Sequence, residues 1–259
     1  MPTTTSADGT RIEYDQTGSG PVVVLICAGP TDRNSNAELA GLLSSSCTVV
    51  NYDRRGRGGS GDVQPYNPDR EVEDLTAVID AAGGQAGVFG NSGGVFVAFR
   101  AAAAGVPFQR LALWEPPYAA SGGGPAVPAD YAEQQAELAK AGKYGAMAEL
   151  FLTVAAGIPA EFVAGLRQGP AWGFLEAAAS PALVYDAQLA GDFTIPADQA
   201  AMVSCPTLVL DGGTTPWLSS AADQVADSVA DGTRATLAGQ QHNVEATVLA
   251  PALAEFFTR

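Results

Sequence analysis

The sequence predicts an α/β fold: a mostly parallel sheet covered by helices on both faces, carrying an inserted helical segment. Three observations point there. Apolar runs such as Val22-Val23-Val24-Leu25-Ile26 are continuous rather than alternating, as strands covered on both faces are. These runs alternate with helical stretches along the chain, the rhythm of parallel strands joined by crossovers. One long stretch, roughly 118–199, breaks that rhythm with helical patterns and no convincing strand.

Taken in order, residues 3–6 and 11–14 flank Asp8-Gly9 and predict a hairpin, followed by a turn over 18–21. The first buried strand, 22–26, ends in Ala28-Gly29-Pro30. A helix over 36–44 leads to a second buried strand, 48–52, which stops in the loop Asp53-Arg54-Arg55-Gly56-Arg57-Gly58-Gly59-Ser60. A helix over 70–82, a short strand over 87–89, an apolar helix over 94–104 and a strand over 109–114 continue the alternation. The insertion carries helical patterns at 131–141, 144–156, 159–165 and 181–190, and Ser121-Gly122-Gly123-Gly124-Pro125 reads as its hinge. Strands over 207–210 and 234–237 and a helix over 249–257 complete the core. The expected organisation is therefore a core of 1–117 and 200–259 with a helical cap of 118–199.

Composition narrows the function. The 259 residues include 47% hydrophobic side chains, ample for a core, and 13 Lys and Arg against 28 Asp and Glu give a net charge of -15. A field of that sign repels a phosphate backbone, and no basic cluster offsets it, so nucleic acid is excluded as a partner. The start MPTTTSADGT has neither a basic region nor an apolar run, and no stretch of about 18 apolar residues follows. The expectation is a cytoplasmic protein without a membrane partner. Cys27, Cys47 and Cys205 are too scattered for a disulfide framework or a metal site and read as small core residues. No Walker or dinucleotide spacing occurs, so no cofactor and no metal are expected. Oligomeric state is not legible.

Chemistry concentrates at Gly90-Asn91-Ser92-Gly93-Gly94, a G-x-S-x-G pattern placed between an apolar strand and an apolar helix. In that context the chain reverses sharply, and Ser92 stands at the apex with its hydroxyl exposed. Gly90 and Gly94 allow strand and helix to approach, while the Gly93 amide faces a developing oxyanion. A serine hydroxyl needs a base, and His242 is the single histidine of the chain. It lies in the loop after the last strand, where this motif expects its base. A second oxyanion amide is due from the loop after 22–26. Pro30 has no N–H, leaving Gly29, with Thr31 in reserve. Two strand-end carboxylates can orient the imidazole: Glu115 and Asp211.

The elbow, the Tyr52-Asp53-Arg54-Arg55-Gly56-Arg57-Gly58 loop, the Ala28-Gly29-Pro30 turn and the late His242 together resemble the α/β-hydrolase superfamily, over essentially the whole chain. That resemblance implies the α/β-hydrolase fold and a nucleophile, histidine and acid at one site. The usual family acid follows the strand after the cap in a Gly-x-x-Asp pattern, yet here Gly212-Gly213-Thr214-Thr215 puts threonine there. Members similar to zearalenone lactonase instead take a glutamate from the end of the strand after the elbow helix, a position Glu115 matches. The resemblance therefore favours Glu115 over Asp211. Serine at the elbow argues against the dehalogenase and epoxide-hydrolase chemistry that similar proteins run with an aspartate there. The three arginines at 54, 55 and 57 are expected to brace the floor of the site rather than bind substrate.

Phe151, Phe162, Trp172, Phe174, Tyr185 and Trp217 lie in or beside the insertion, and only Lys140, Lys143 and Arg167 supply positive charge within it. Trp172, Phe174 and Trp217 are the expected substrate contacts, and the expected substrate is a small, neutral, largely apolar ester or lactone. A lyase, cyclase or carbon–carbon bond hydrolase on the same three side chains is the alternative, and a ligand-binding receptor of the same fold a further one.

Overall fold

The computed structural model describes residues 1–119 and 123–259. Among them, eight strands form one sheet: β1 (Thr3–Thr5), β2 (Arg11–Gly18), β3 (Val22–Ile26), β4 (Thr48–Tyr52), β5 (Ala86–Asn91), β6 (Phe108–Trp114), β7 (Thr207–Asp211) and β8 (Gly232–Thr236), in the order β1-β2-β4-β3-β5-β6-β7-β8. β1 and β2 run antiparallel to their neighbours, and β4 through β8 pair in parallel.

Alternation along each strand divides the core in two. Val24, Ile26, Val50, Val88, Leu111, Leu113 and Val209 pack with α2 (Asp69–Ala81), α3 (Gly94–Ala103) and α10 (Pro216–Ser228) on one face. Val23, Leu25, Val49, Phe89, Ala112, Trp114 and Leu210 pack with α1 (Ala37–Leu43) and α11 (Ala246–Phe257) on the other. Both faces of a strand such as β3 are thereby dry, which is why its sequence is apolar without interruption.

Between β6 and β7 the described chain forms α4 (Tyr131–Lys140), α5 (Tyr144–Leu150), α6 (Ala160–Leu166), α7 (Trp172–Ala178), α8 (Ala182–Ala190) and α9 (Ala197–Met202). Of the expected hinge, Ser121 and Gly122 lie outside the described residues. Three departures from expectation have local causes. The helix expected over 144–156 stops at Leu150 and widens into a π-turn, Phe151–Ala155, closed by the Ala156 amide donating to the Phe151 carbonyl. β8 begins two residues earlier than expected, and Leu237 has left the ladder while its amide still donates to the Asp211 carbonyl at 2.7 Å. α10 was not expected, although Pro216 at its first turn and the stripe Leu218, Ala221, Ala222, Val225, Ala226 spell a helix start and a buried face. α7 and α9, short and Ala-rich, were not expected either.

Candidate active site

The order of strands changes direction at β3, which lies between β4 and β5, so the loops after β3 and β5 open toward each other at the carboxyl edge of the sheet. The register carries this further. Asn91 pairs with Trp114, and Trp114 with Leu210, so Ser92, Glu115 and Asp211 stand side by side one position beyond that row.

Ser92 is left-handed at φ 51°, a conformation non-glycine residues adopt at a cost of about 1 kcal/mol or more. The turn is held on both sides. The Ser92 amide donates to the Trp114 carbonyl at 3.0 Å, and glycines make the close approach possible: a Cβ at Gly94 would lie 2.8 Å from the Ile26 carbonyl oxygen, and one at Gly90 3.0 Å from that of Gly94. Glu115 is left-handed as well, at φ 42°. Its amide is fixed to the Leu210 carbonyl, and the strain swings its side chain out of strand alternation.

The outcome is a continuous chain of hydrogen bonds. The His242 Nδ1 lies 2.6 Å from Glu115 Oε2 and the Nε2 3.0 Å from Ser92 Oγ. An ionised carboxylate only accepts, so Nδ1 carries the proton and the Nε2 lone pair faces the serine hydroxyl. Glu115 is fully buried and its second oxygen accepts from the Gly212 amide at 3.1 Å, whereas the His242 side chain is 43% exposed. Trp114, which the sequence reading did not single out, ties the histidine loop down by donating from Nε1 to the His242 carbonyl at 3.0 Å.

Asp211 takes no part in this chain. Its carboxylate accepts from the Gly213 amide and from the Ser219 hydroxyl and pairs with Arg234 at 2.8 Å. Burial opposes its charge, but the bonds from Ser219 and Arg234 prevail and hold the carboxyl below the usual aspartate value. Where the family pattern expects its acid stands Thr215, and the hydroxyl of Thr214 just before it donates to the Gln240 carbonyl at 2.8 Å.

Gly29 and Gly93 come together. A Cβ built on Gly93 would lie 3.2 Å from the Gly29 amide nitrogen, and neither glycine's N–H donates to any described atom. Gly29 is left-handed at φ 35°, and its carbonyl is held by the Arg57 guanidinium. Thr31 turns its hydroxyl back to the Ala28 carbonyl instead.

The arginine loop lies beneath. Arg54 is fully buried, bidentate to Glu71 at 2.6 and 2.7 Å and bonded to Asp186 of α8 at 2.8 Å. Burial opposes its charge, but Asp186 and Glu71 outweigh that and keep it well above the ordinary arginine range. Arg55 grips Asp74 and Asp8, and Arg57 joins Asp186 at 2.7 Å. These three side chains brace the floor, as expected of them. Asp186 itself carried no signal in the sequence, because its partners lie more than 120 residues away.

Two of the three expected substrate contacts, Phe174 and Trp172, need correction. Phe174 is 80% exposed and projects into solvent, because α7 turns that face outward. Trp172 belongs to the insertion's own small core with Ala148, Leu152 and Val163, and the Arg167 guanidinium covers its ring. Trp217 is half-buried at the start of α10, beside Gly124. Phe151 comes near the Gly29 loop: its Cζ would lie 3.8 Å from a Cβ at Gly29. Its place at the first residue of the π-turn directs it there.

A sequence model of the alpha/beta hydrolase family matches residues 23–252. The chain belongs to that family. The crystal structure of an alpha/beta hydrolase from Sphaerobacter thermophilus is 45% identical, with a TM-score of 0.93 over 99% of this chain and 100% of that one. An enol-lactonase from Burkholderia xenovorans LB400 shares the fold at 20% identity and a TM-score of 0.75, covering all of both chains. An uncharacterised hydrolase, YraK of Bacillus subtilis, is 31% identical over 98 residues, which span 36% of this chain and 36% of that relative. As a member of this family, the protein is a hydrolase. Among its described residues no helix is long and apolar enough to cross a membrane, and no group of three or more His, Cys, Asp or Glu is arranged to hold a metal ion. Cys27, Cys47 and Cys205 are unpaired thiols, and burial raises the pKa of each.

Proposed function

We propose that this hydrolase cleaves a neutral, largely apolar carboxylic ester or lactone through an acyl-enzyme intermediate on Ser92. One observation carries the reading: the chain of hydrogen bonds from Ser92 Oγ through His242 to the buried Glu115. The position of that glutamate, at the end of the strand after the elbow helix, is the feature that resembles zearalenone lactonase-like members.

In the first half-reaction His242 Nε2 takes the proton of Ser92 as Oγ bonds to the scissile carbonyl carbon. The carbonyl π pair moves onto oxygen, where the Gly29 and Gly93 amides receive it; one such donor is worth about 10²–10³ in rate. Glu115 stabilises the imidazolium, which then protonates the leaving alkoxide as the carbon–oxygen bond breaks. Water, deprotonated by the same nitrogen, attacks the acyl carbon and returns Ser92. For a lactone, leaving group and acyl group stay on one molecule.

The helices between β6 and β7 act as a cap in this reading. Support for a neutral substrate comes from the arginines, since Arg54, Arg55 and Arg57 are each committed to internal carboxylates. Ser92→Ala is expected to lower kcat on an aryl ester by about 10⁴-fold or more. A fluorophosphonate should label the native protein at Ser92 and leave the variant unlabelled. Unchanged turnover in the variant, or a native protein that takes no label, overturns the reading.

A further inference from the structure

Resting on the reading of Ser92 as nucleophile, we propose that Asp186 is a specificity residue: its free carboxylate oxygen accepts a hydrogen bond from the acyl part of the substrate. The preferred substrate then carries a hydroxyl on the carbon next to the scissile carbonyl, on an otherwise neutral ester or lactone.

Asp186 is 92% buried, with only 8% of its surface exposed, and reaches the elbow from α8 in the insertion. Its Oδ1 is fully used, accepting from Arg54 at 2.8 Å and Arg57 at 2.7 Å. Oδ2 has no partner among the described residues. A buried acceptor without a partner costs roughly 1–3 kcal/mol, and more when it is charged, so its persistence calls for an occupant.

Its position says which occupant. Residue 93 is a glycine, and the absence of its side chain lets this oxygen come close to the elbow backbone. A Cβ there would lie 3.3 Å from Oδ2 and 3.2 Å from the Gly29 amide nitrogen. Oδ2 and the Gly29 amide nitrogen therefore stand close to one point at Gly93, beside the Ser92 turn and the two amides of the proposed oxyanion hole. A carbonyl oxygen placed between those amides brings its α-substituent alongside. A carboxylate at that place repels an ether or carbonyl oxygen and rewards an O–H donor. The neighbouring charges do not spoil the site, since Arg54 and Arg57 offset Asp186 and Glu71 within the same cluster.

The experiment measures kcat/KM for three aryl esters with one leaving group: hydroxyacetyl, methoxyacetyl and acetyl, each divided by its rate of alkaline hydrolysis. Methoxyacetyl retains the electron-withdrawing oxygen and lacks the donor. The native protein is expected to favour hydroxyacetyl over both by about tenfold or more, the size of one charge-assisted hydrogen bond. Asp186→Asn places an amide N–H where the acceptor was, and the hydroxyacetyl-to-methoxyacetyl ratio should fall to about one or below. Where that variant does not fold, the native ratio decides alone. A native ratio near one, with brisk turnover of all three, overturns this inference and leaves the serine-hydrolase reading standing. A ratio that survives Asp186→Asn also overturns it. Turnover of none of the three, together with absent Ser92 labelling, removes both.

Discussion

Glu115 and Asp211 are two buried carboxylates on neighbouring strands, in the same row of the sheet, and the structure gives them opposite employments. The difference lies in the backbone. Asp211 remains inside β7, so strand alternation sends its side chain to the face that Val209 occupies, where Ser219 of α10 and Arg234 meet it. The histidine loop descends over the other face, with Trp114 and Leu210. Regular alternation would have put Glu115 on the Asp211 side as well. Its left-handed φ of 42° breaks the period and delivers the carboxylate to His242. One strained residue, rather than the choice of amino acid, decides which acid the imidazole meets.

The sharpest way to break this comparison is to remove each charge in turn. Glu115→Gln should lower kcat by about 10³–10⁴-fold on any ester the protein hydrolyses, because the imidazole loses both its tautomer and its counter-charge. Asp211→Asn should leave kcat within about fivefold. Steady-state kinetics on the two variants checks both, and the reverse ranking would transfer the orienting role to Asp211.

A second test acts on the glycine between the two acids. Gly212 donates its amide to Glu115, and a Cβ at that position would stand 1.8 Å from the Gln240 carbonyl oxygen, two residues before His242. Gly212→Ala must therefore push the histidine loop outward. The expected result is a roughly 10²-fold loss in kcat, the scale of a 1 Å misplacement, with a destabilisation of about 1–3 kcal/mol in denaturant melts. Full activity in a stable variant would mean that the loop yields without disturbing the imidazole.

How much of this was legible in the sequence follows from what each feature depends on. The elbow was legible because its constraint is local: two close approaches demand Gly90 and Gly94, and the pattern fits within five residues. His242 was legible because the chain offers no other imidazole. The choice between Glu115 and Asp211 was not readable from spacing, since it turns on a single φ angle; a family resemblance and the strand-end position tilted it. Asp186 and Trp114 were missed, and Phe151 was named among the aromatics of the insertion but not chosen as a contact, for a common reason. Asp186 meets its arginines across about 130 residues, Trp114 holds a carbonyl 128 residues later, and Phe151 reaches Gly29 through a π-turn that helical periodicity does not encode. The errors at Trp172 and Phe174 have the same root: an aromatic side chain in a short helix serves a local core or projects into water, depending on how the helix is rotated.

The remaining predictions concern stability, where Asp211 should matter and act in smaller steps. Asp211→Asn removes the partner of Arg234 and one strong acceptor for Ser219, a loss of about 1–3 kcal/mol in chemical denaturation at neutral pH. The same variant sets a pH test whose sign is fixed by the direction of the shift. Asp211 titrates lower in the folded protein than in the unfolded chain, so the unfolded state binds the proton more readily. Its stabilisation is complete above the ordinary aspartate value of about 3.9 and is lost as pH falls through the depressed folded value. Denaturant melts between pH 7 and pH 3 should therefore bring the native protein and Asp211→Asn closer together as acid is added. A gap that stays constant or widens would mean that the native Asp211 carboxyl is protonated at least as easily folded as unfolded. The contrast with Glu115 would then rest on geometry alone.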